Sequence, residues 1–285
     1  MKPFFSVIIP LFNNEKTIAR AINSVFAQTF KSWELVLIDD GSKDDSFLAI
    51  KPFEDYPNVI LYKQENNGVS FSRNKGVSIS SGTWIVFLDA DDELTSEALT
   101  RFALKIALNP EAKAILGGFK RITGTNETDF IPKNKSPQST LSGSFAILSS
   151  LFYELGGYDS SLKFSENTEL FHRINASKCQ IDYVEEVVLH YHESLDGGSK
   201  NLKNMIDSIL IILKKHSNTL SPHVKFLYHQ ILGVNYLRFQ DFSKARTHLL
   251  KAIYFKPYKL DTILRFCISL IPYLSRKIYP MKVKI

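Results

Sequence analysis

Leu37-Ile38-Asp39-Asp40-Gly41-Ser42 is an apolar run that breaks abruptly into two carboxylates and a turn. With Glu34, Leu35 and Val36 before it, it reads as a buried strand with a polar carboxyl end. The same pattern recurs on both sides. Phe5-Ser6-Val7-Ile8-Ile9 reads as a strand ended by Pro10 and followed by Leu11-Phe12-Asn13-Asn14. Residues 83–88 read as a strand followed by Asp89-Ala90-Asp91-Asp92, and 58–63 as another. Helical stretches separate them. Ile18, Ala21, Ile22 and Val25 make one apolar face, with Asn13 or Asn14 as its cap. A short helix runs to about Asp55, and a third follows the Asn66-Asn67-Gly68 turn over about 69–80. Gly76 inside that third helix costs about 1 kcal/mol against Ala, which predicts close packing there.

Strands alternating with helices predict right-handed crossovers and an α/β fold with a mostly parallel sheet, covered by helices on both faces. In such sheets ligands sit beyond the carboxyl ends of the strands. Three of those ends carry polar clusters, at 10–14, 39–42 and 89–92, and their convergence predicts the functional site. Residues 113–199 are mixed: 114–119 and 184–191 read as strands, 149–155 and 167–176 as helices, and polar 126–142 as a loop. From Leu202 onward the pattern is helical. Leu232, Gly233, Tyr236, Ala245, Leu249, Ala252 and Pro257 fall at the offsets of one tetratricopeptide-like repeat over about 226–259.

The chain has 285 residues, of which 44% are hydrophobic and 22% charged. That composition excludes a disordered, collagen-like or coiled-coil protein. Cys179 and Cys267 make neither a disulfide framework nor a zinc site, which fits a reducing compartment. The net charge of +6 conceals a split. From Lys200 onward lie 16 of the 35 Lys and Arg but only three of the 29 acids (Asp207, Asp241 and Asp261), leaving 19 cations and 26 acids in 1–199. An acidic front and a basic tail predict two jobs, one at an anionic surface. The apolar stretches 4–12 and 262–274 fall short of the roughly 18 residues of a spanning helix. The expectation is a cytoplasmic chain, peripheral to a membrane at most.

Each polar cluster has a chemical and a plain reading. Asp89 and Asp91, two apart in an extended segment, would face one site and offer hard oxygens to Mg²⁺ or Mn²⁺; the alternative is a solvated acidic turn. An EF-hand is excluded because Leu94 and Thr100 stand where Gly and Glu are required. Asp39 and Asp40 suit a base imide or a ribose hydroxyl, or simply cap the next helix. Arg73 can reach a phosphate at a helix entrance, or lie on an amphipathic surface. No glycine fingerprint of a dehydrogenase or NTPase is present.

Taken in order and spacing, 8–14, 37–42, 67–76 and 87–92 make the chain resemble the family-2 glycosyltransferases, with their GT-A type nucleotide-sugar-binding domain. The resemblance covers about residues 4–195. It implies a domain over 1–199, with a nucleotide-sugar half to about 112 and an acceptor half beyond, followed by a basic helical extension over 200–285. It also implies roles. Pro10 and Phe12 would line the base pocket, and Asp39 would read the base, with Asp40 beside it. Asn67, Gly68 and Arg73 would close over the nucleotide. Asp89 and Ala90 would meet the ribose or diphosphate, Asp91 the metal, and His192, in His190-Tyr191-His192, the metal or diphosphate. The implied activity is metal-dependent, inverting transfer from a UDP-sugar to a hydroxyl of a growing cell-surface glycan.

One position departs from the family pattern. Ser165-Glu166-Asn167 aligns with a Glu-Asp motif whose Asp is the general base, and an amide cannot take a proton. Three readings stay open: Glu166 is the base, another carboxylate such as Glu169 or Asp159 serves, or the chain binds donor as an impaired scaffold. The basic tail reads as a solvated helical surface or as a dock on an anionic leaflet, with Leu260, Ile263, Leu264, Ile268, Leu270, Ile271 and Leu274 as its apolar face and Arg265, Arg276, Lys277, Lys282 and Lys284 beside it. No nucleic-acid module is present.

Overall fold

A computed structural model describes residues 2–132, 140–193 and 201–281. These residues form two compact units. The first holds the described residues up to Ser161 and from Glu166 to Glu193; the second holds Leu162–Ser165 and the described residues from 201 on. Residues 133–139 of the expected 126–142 loop, the 199/200 boundary, Lys282 and Lys284 lie outside the described residues.

The first unit is built on nine strands: β1 (Phe5–Leu11), β2 (Trp33–Asp39), β3 (Val59–Lys63), β4 (Trp84–Phe87), β5 (Glu93–Leu94), β6 (Ala112–Thr123), β7 (Asn126–Phe130), β8 (Phe145–Leu148) and β9 (Gln180–His192). Their order is β3-β2-β1-β4-β8-β6-β9-β5, with β7 on β6. The β3-β2-β1-β4 half is parallel, as is β6 with β9. The remaining junctions are antiparallel. Every residue of β1 and β2 is buried, which is why those strands read as unbroken apolar runs.

Helices α1 (Ile18–Phe26), α2 (Ser46–Ile50), α3 (Val69–Ile79), α4 (Ala98–Leu108), α5 (Ser149–Glu154) and α6 (Glu166–Ala176) complete this unit. Ile9, Leu37 and Val86 pack on one face of the sheet with Ile18, Ile22 and Phe102. Ile8, Ile38 and Phe87 pack on the other with Val77, Phe152 and Ile174. Gly76 lies against β1, where an added Cβ would overlap Ile8 Cγ2, as its place inside the helix predicts.

Four local expectations are corrected. Strand β1 does not end at Pro10 but runs to Leu11. Strand β4 pairs only as far as Ile8, so the missing Pro10 N–H breaks no ladder there. Helix α1 starts at a Thr17 cap without a side-chain bond, not at Asn13 or Asn14. Instead, Asn13 Oδ1 accepts from the Lys43 N–H at 2.9 Å and Asn14 Oδ1 from the Phe12 N–H at 2.9 Å. Both asparagines thus brace the loops after β1 and β2. The segment 126–130, read as loop, is strand β7, joined to β6 through a two-residue turn at Gly124 (φ 62°). Its solvent exposure left no apolar pattern to read. Finally, Asp89–Asp92 is not extended: the Asp92 N–H bonds the Asp89 carbonyl at 3.1 Å, closing a turn toward β5.

The second unit is helical: α7 (Leu202–Lys215), α8 (Pro222–Arg238), α9 (Phe242–Phe255), α10 (Leu260–Ser269) and α11 (Pro272–Ile278). Ile206, Ile209, Leu232, Tyr236, Leu237, Ala245 and Leu249 form its core. Gly233 admits close approach of α9, since a Cβ there would lie 2.6 Å from Leu249 Cγ. No described helix is long and apolar enough to cross a membrane.

Candidate active site

The parallel strands β1, β2 and β4 end side by side, and their carboxyl ends deliver Phe12, Asp39-Asp40 and Asp89–Asp92 to one edge of the sheet. Asp39 is fully buried. Its Oδ1 accepts the Ser42 N–H at 3.0 Å, and Lys63 Nζ lies 3.7 Å from Oδ2. Oδ2 has no hydrogen-bond partner among the described residues, which leaves an acceptor for a ligand N–H or O–H. Phe12 is 42% exposed beside this edge, whereas Pro10 is buried in β1.

Asp40 was expected beside the base and is engaged elsewhere. Its Oδ1 accepts from Gln64 Nε2 (2.8 Å) and the Asn67 N–H (2.9 Å), and its Oδ2 from the Gly68 N–H (2.8 Å). This carboxylate therefore shapes the turn into α3, where Gly68 takes φ 89°. The open space around Gly68 suits close approach of a ligand.

Arg73 is not on a surface. It is 2% exposed, with Nη2 on Asp89 Oδ1 at 2.6 Å and Nη1 on Glu166 Oε1 at 3.0 Å. Its guanidinium also lies over the Tyr158 ring, 5.3 Å from the centroid. Burial acts to lower the guanidinium pKa, but Asp89, Tyr158 and Glu166 together more than offset it and hold the group above its usual range.

The acidic turn concentrates negative charge. Burial and then Asp89 push the Asp91 carboxyl up; burial, Asp89 and Asp91 push Asp92 up to about 9. Arg20 on α1 binds the Asp91 carbonyl. Asp92 Oδ1 accepts the His192 N–H at 2.8 Å. Hard oxygens in mutual repulsion fit Mg²⁺ or Mn²⁺. Among the described residues no three of His, Cys, Asp and Glu gather so as to hold a metal ion. His192, expected at the metal or the diphosphate, has its Nε2 2.9 Å from Glu93 Oε1, with His190 Nδ1 3.7 Å from the same oxygen.

On the other side of Arg73, Asn74 forms a reciprocal pair with the Tyr158 backbone, both bonds 2.8 Å. The preceding Gly157 takes φ 70°, and a Cβ there would lie 2.7 Å from Asn74 Oδ1. Tyr158 then donates to Asn167 Oδ1 at 2.7 Å, and Asn167 Nδ2 reaches Ser142 Oγ at 3.4 Å. The two alternative carboxylates are committed elsewhere. Glu169 is 1% exposed and paired with Arg173 at 2.6 Å. Asp159 Oδ1 accepts from the Ser161 N–H and hydroxyl. Arg20, Gln64, Asn74, Glu93 and Tyr158 had no assigned role in the sequence, because each reaches the site through a contact that no spacing announces.

The parallel half-sheet β3-β2-β1-β4, with an acidic turn beyond β4, is the architecture of a GT-A type fold. The glycosyl transferase family 2 model matches residues 6–175, and the chain belongs to that family. It is 31% identical over 234 residues to the minor teichoic acid biosynthesis protein GgaB of Bacillus subtilis, covering 74% of this chain and 26% of that one. It is 41% identical over 90 residues to the uncharacterized glycosyltransferase YibD of Escherichia coli, 31% of this chain and 26% of that one. The chain thus spans about a quarter of the length of these two relatives. Residues 1–349 of S. aureus TarS share the fold, with TM-score 0.65 at 19% identity over 96% of this chain and 88% of that one. The same TarS fragment in complex with UDP-GlcNAc matches with TM-score 0.66 at 18% identity.

Proposed function

We propose that the chain transfers a sugar, with inversion, from a UDP-sugar to a hydroxyl of a growing cell-surface glycan carried at the cytoplasmic face of a membrane. The observation that carries this reading is the bridge Asp89–Arg73–Glu166. One buried guanidinium holds a carboxylate of the acidic turn and a carboxylate at the start of α6, so two carboxylates stand on either side of a single cation. The UDP-GlcNAc complex of TarS supports the donor class, and the teichoic acid relative supports the acceptor class.

In this reading Asp39 Oδ2 takes the base, Phe12 covers it, and the open turn at Asn67-Gly68 lies over the nucleotide. A divalent cation would be held by Asp91, with Asp89 beside it, and would stabilise the charge that develops on the departing diphosphate. The acceptor oxygen bonds to the anomeric carbon as the bond to the diphosphate breaks. The electron pair leaves with the nucleoside diphosphate, and the acceptor proton passes to Glu166. Arg73 orients that carboxylate, and Tyr158 fixes Asn167 next to it.

A second reading rests on Asn167: a chain that keeps the donor pocket but turns over poorly, acting as a scaffold. Calorimetry with UDP and Mn²⁺, followed by a donor hydrolysis and transfer assay, separates the two. Binding with turnover supports the enzyme, and binding without turnover across acceptors supports the scaffold. No UDP binding sinks both.

A further inference from the structure

Helix α10 packs inside out. The side turned toward the rest of the helical unit carries Thr262 and Ser269, both fully buried, and the partly buried Phe266. Gln230 Nε2 donates to Thr262 Oγ1 at 2.8 Å, and the Ser269 hydroxyl donates to the Phe266 carbonyl at 2.5 Å. At about 100° per residue the opposite side carries Leu260, Leu264 and Cys267. All three are exposed, Leu260 at 77% and Leu264 at 62%. The apolar surface continues past the helix end through exposed Leu270, Ile271 and Tyr273. A helix of a solvated domain turns its leucines inward and its hydroxyls outward. The reverse order, in one contiguous face, marks a surface made to be covered.

The surrounding charge selects what covers it. Residues 241–281 carry eight Lys and Arg against Asp241 and Asp261, which pair with Lys244 and Arg265. Tyr254 and Tyr258 are also exposed. Leucines on one face, phenols near it and an excess of cations around it match a helix lying in the headgroup region of an anionic bilayer. A face destined for another protein core would not need so one-sided a charge.

We propose that the Leu260–Leu264–Cys267 face of α10, with Leu270 and Ile271, docks the chain on an anionic lipid leaflet, lying in the interface plane rather than spanning it. No donor-site residue takes part, so the proposal stands apart from the transferase reading in its chemistry and in its test.

The test is flotation of the full chain with vesicles of phosphatidylcholine containing phosphatidylglycerol, and with phosphatidylcholine alone. The chain is expected to float with the anionic vesicles and to be released by about 0.5 M salt. Replacing Leu260 and Leu264 together by Glu should cut partitioning at least about tenfold. Lys259→Gln or Lys277→Gln should cut it about fivefold each. Because both leucines are exposed, L260E/L264E should keep its circular dichroism and its UDP affinity. No binding to anionic vesicles, equal binding to neutral ones, or binding indifferent to L260E/L264E would overturn the proposal. So would light scattering showing a wild-type dimer that L260E/L264E makes monomeric, since a second copy would then be the occupant. Vesicle binding without UDP binding would leave the dock standing and remove the transferase reading.

Discussion

Arg73 donates to Glu166 Oε1 at 3.0 Å across 93 residues of sequence, and to Asp89 Oδ1 at 2.6 Å with its other terminal nitrogen. The pair joins the start of α6 to the acidic turn after β4 through one buried side chain. Removing one partner of such a bridge leaves the others short of compensation. Arg73→Met should therefore cost about 3 kcal/mol, the lower end for a broken buried pair, because Asp89 keeps 37% of its side chain in contact with solvent. The urea midpoint measures this. An unchanged midpoint would mean that the two carboxylates relax into solvent.

Glu166 is the proposed base, so Glu166→Gln should lower kcat about a hundredfold or more while leaving UDP affinity within a factor of two or so. Equal turnover would move the role to another group. Asn167→Asp supplies the complementary measurement. A large gain in rate would show that Asn167 impairs the native site, and no gain would favour Glu166.

Asp91→Ala should abolish turnover and weaken Mn²⁺-dependent UDP binding while leaving the melting temperature unchanged or raised. Its carboxyl is held up by burial and by Asp89, so losing it relieves repulsion in the metal-free turn. Metal-independent UDP binding of wild-type strength would speak against Asp91 as a ligand.

Gly76→Ala should destabilise the protein by about 1–3 kcal/mol, because the added methyl overlaps Ile8 Cγ2 in the packed layer between α3 and β1. The measurement is thermal or urea unfolding. Gly124→Ala, where a Cβ meets nothing within 4 Å, tests strain without overlap, since only its φ of 62° disfavours Ala.

In the helical unit, His229 Nδ1 and His248 Nδ1 lie 3.0 Å apart, one donating to the other. Burial lowers both rings to about 4, and the neighbouring His248 adds to the effect on His229. Their folded values lie below the unfolded value of 6.5, so the unfolded chain binds more protons between pH 6.5 and 4. The stability they contribute is complete above pH 6.5 and is lost as pH falls toward 4. Urea unfolding at pH 7 and pH 5 should show a drop that His229→Gln/His248→Gln makes smaller. An equal drop in the variant would assign the acid sensitivity to other groups.

The four strands β1 to β4, the apolar face of α1, and the delivery of Asp39 and of the Asp89–Asp92 turn to one edge of the sheet were legible in the sequence. Buried parallel strands leave long apolar runs, and a parallel sheet delivers the ends of those runs to one edge. The four motifs also carry the family by their order. The partners of each side chain were not legible. Asp39 and Asp40 are adjacent and chemically identical, yet Asp39 keeps one oxygen without a hydrogen-bond partner while Asp40 is spent on Gln64, Asn67 and Gly68. Arg73 was legible as a site residue but its ion partners were not: it is buried because Glu166 and Tyr158 arrive from far along the chain. Periodicity records which residues leave water, since that depends on a residue and its near neighbours. Which acceptor a buried donor meets depends on how distant segments pack, and only the tertiary structure decides that.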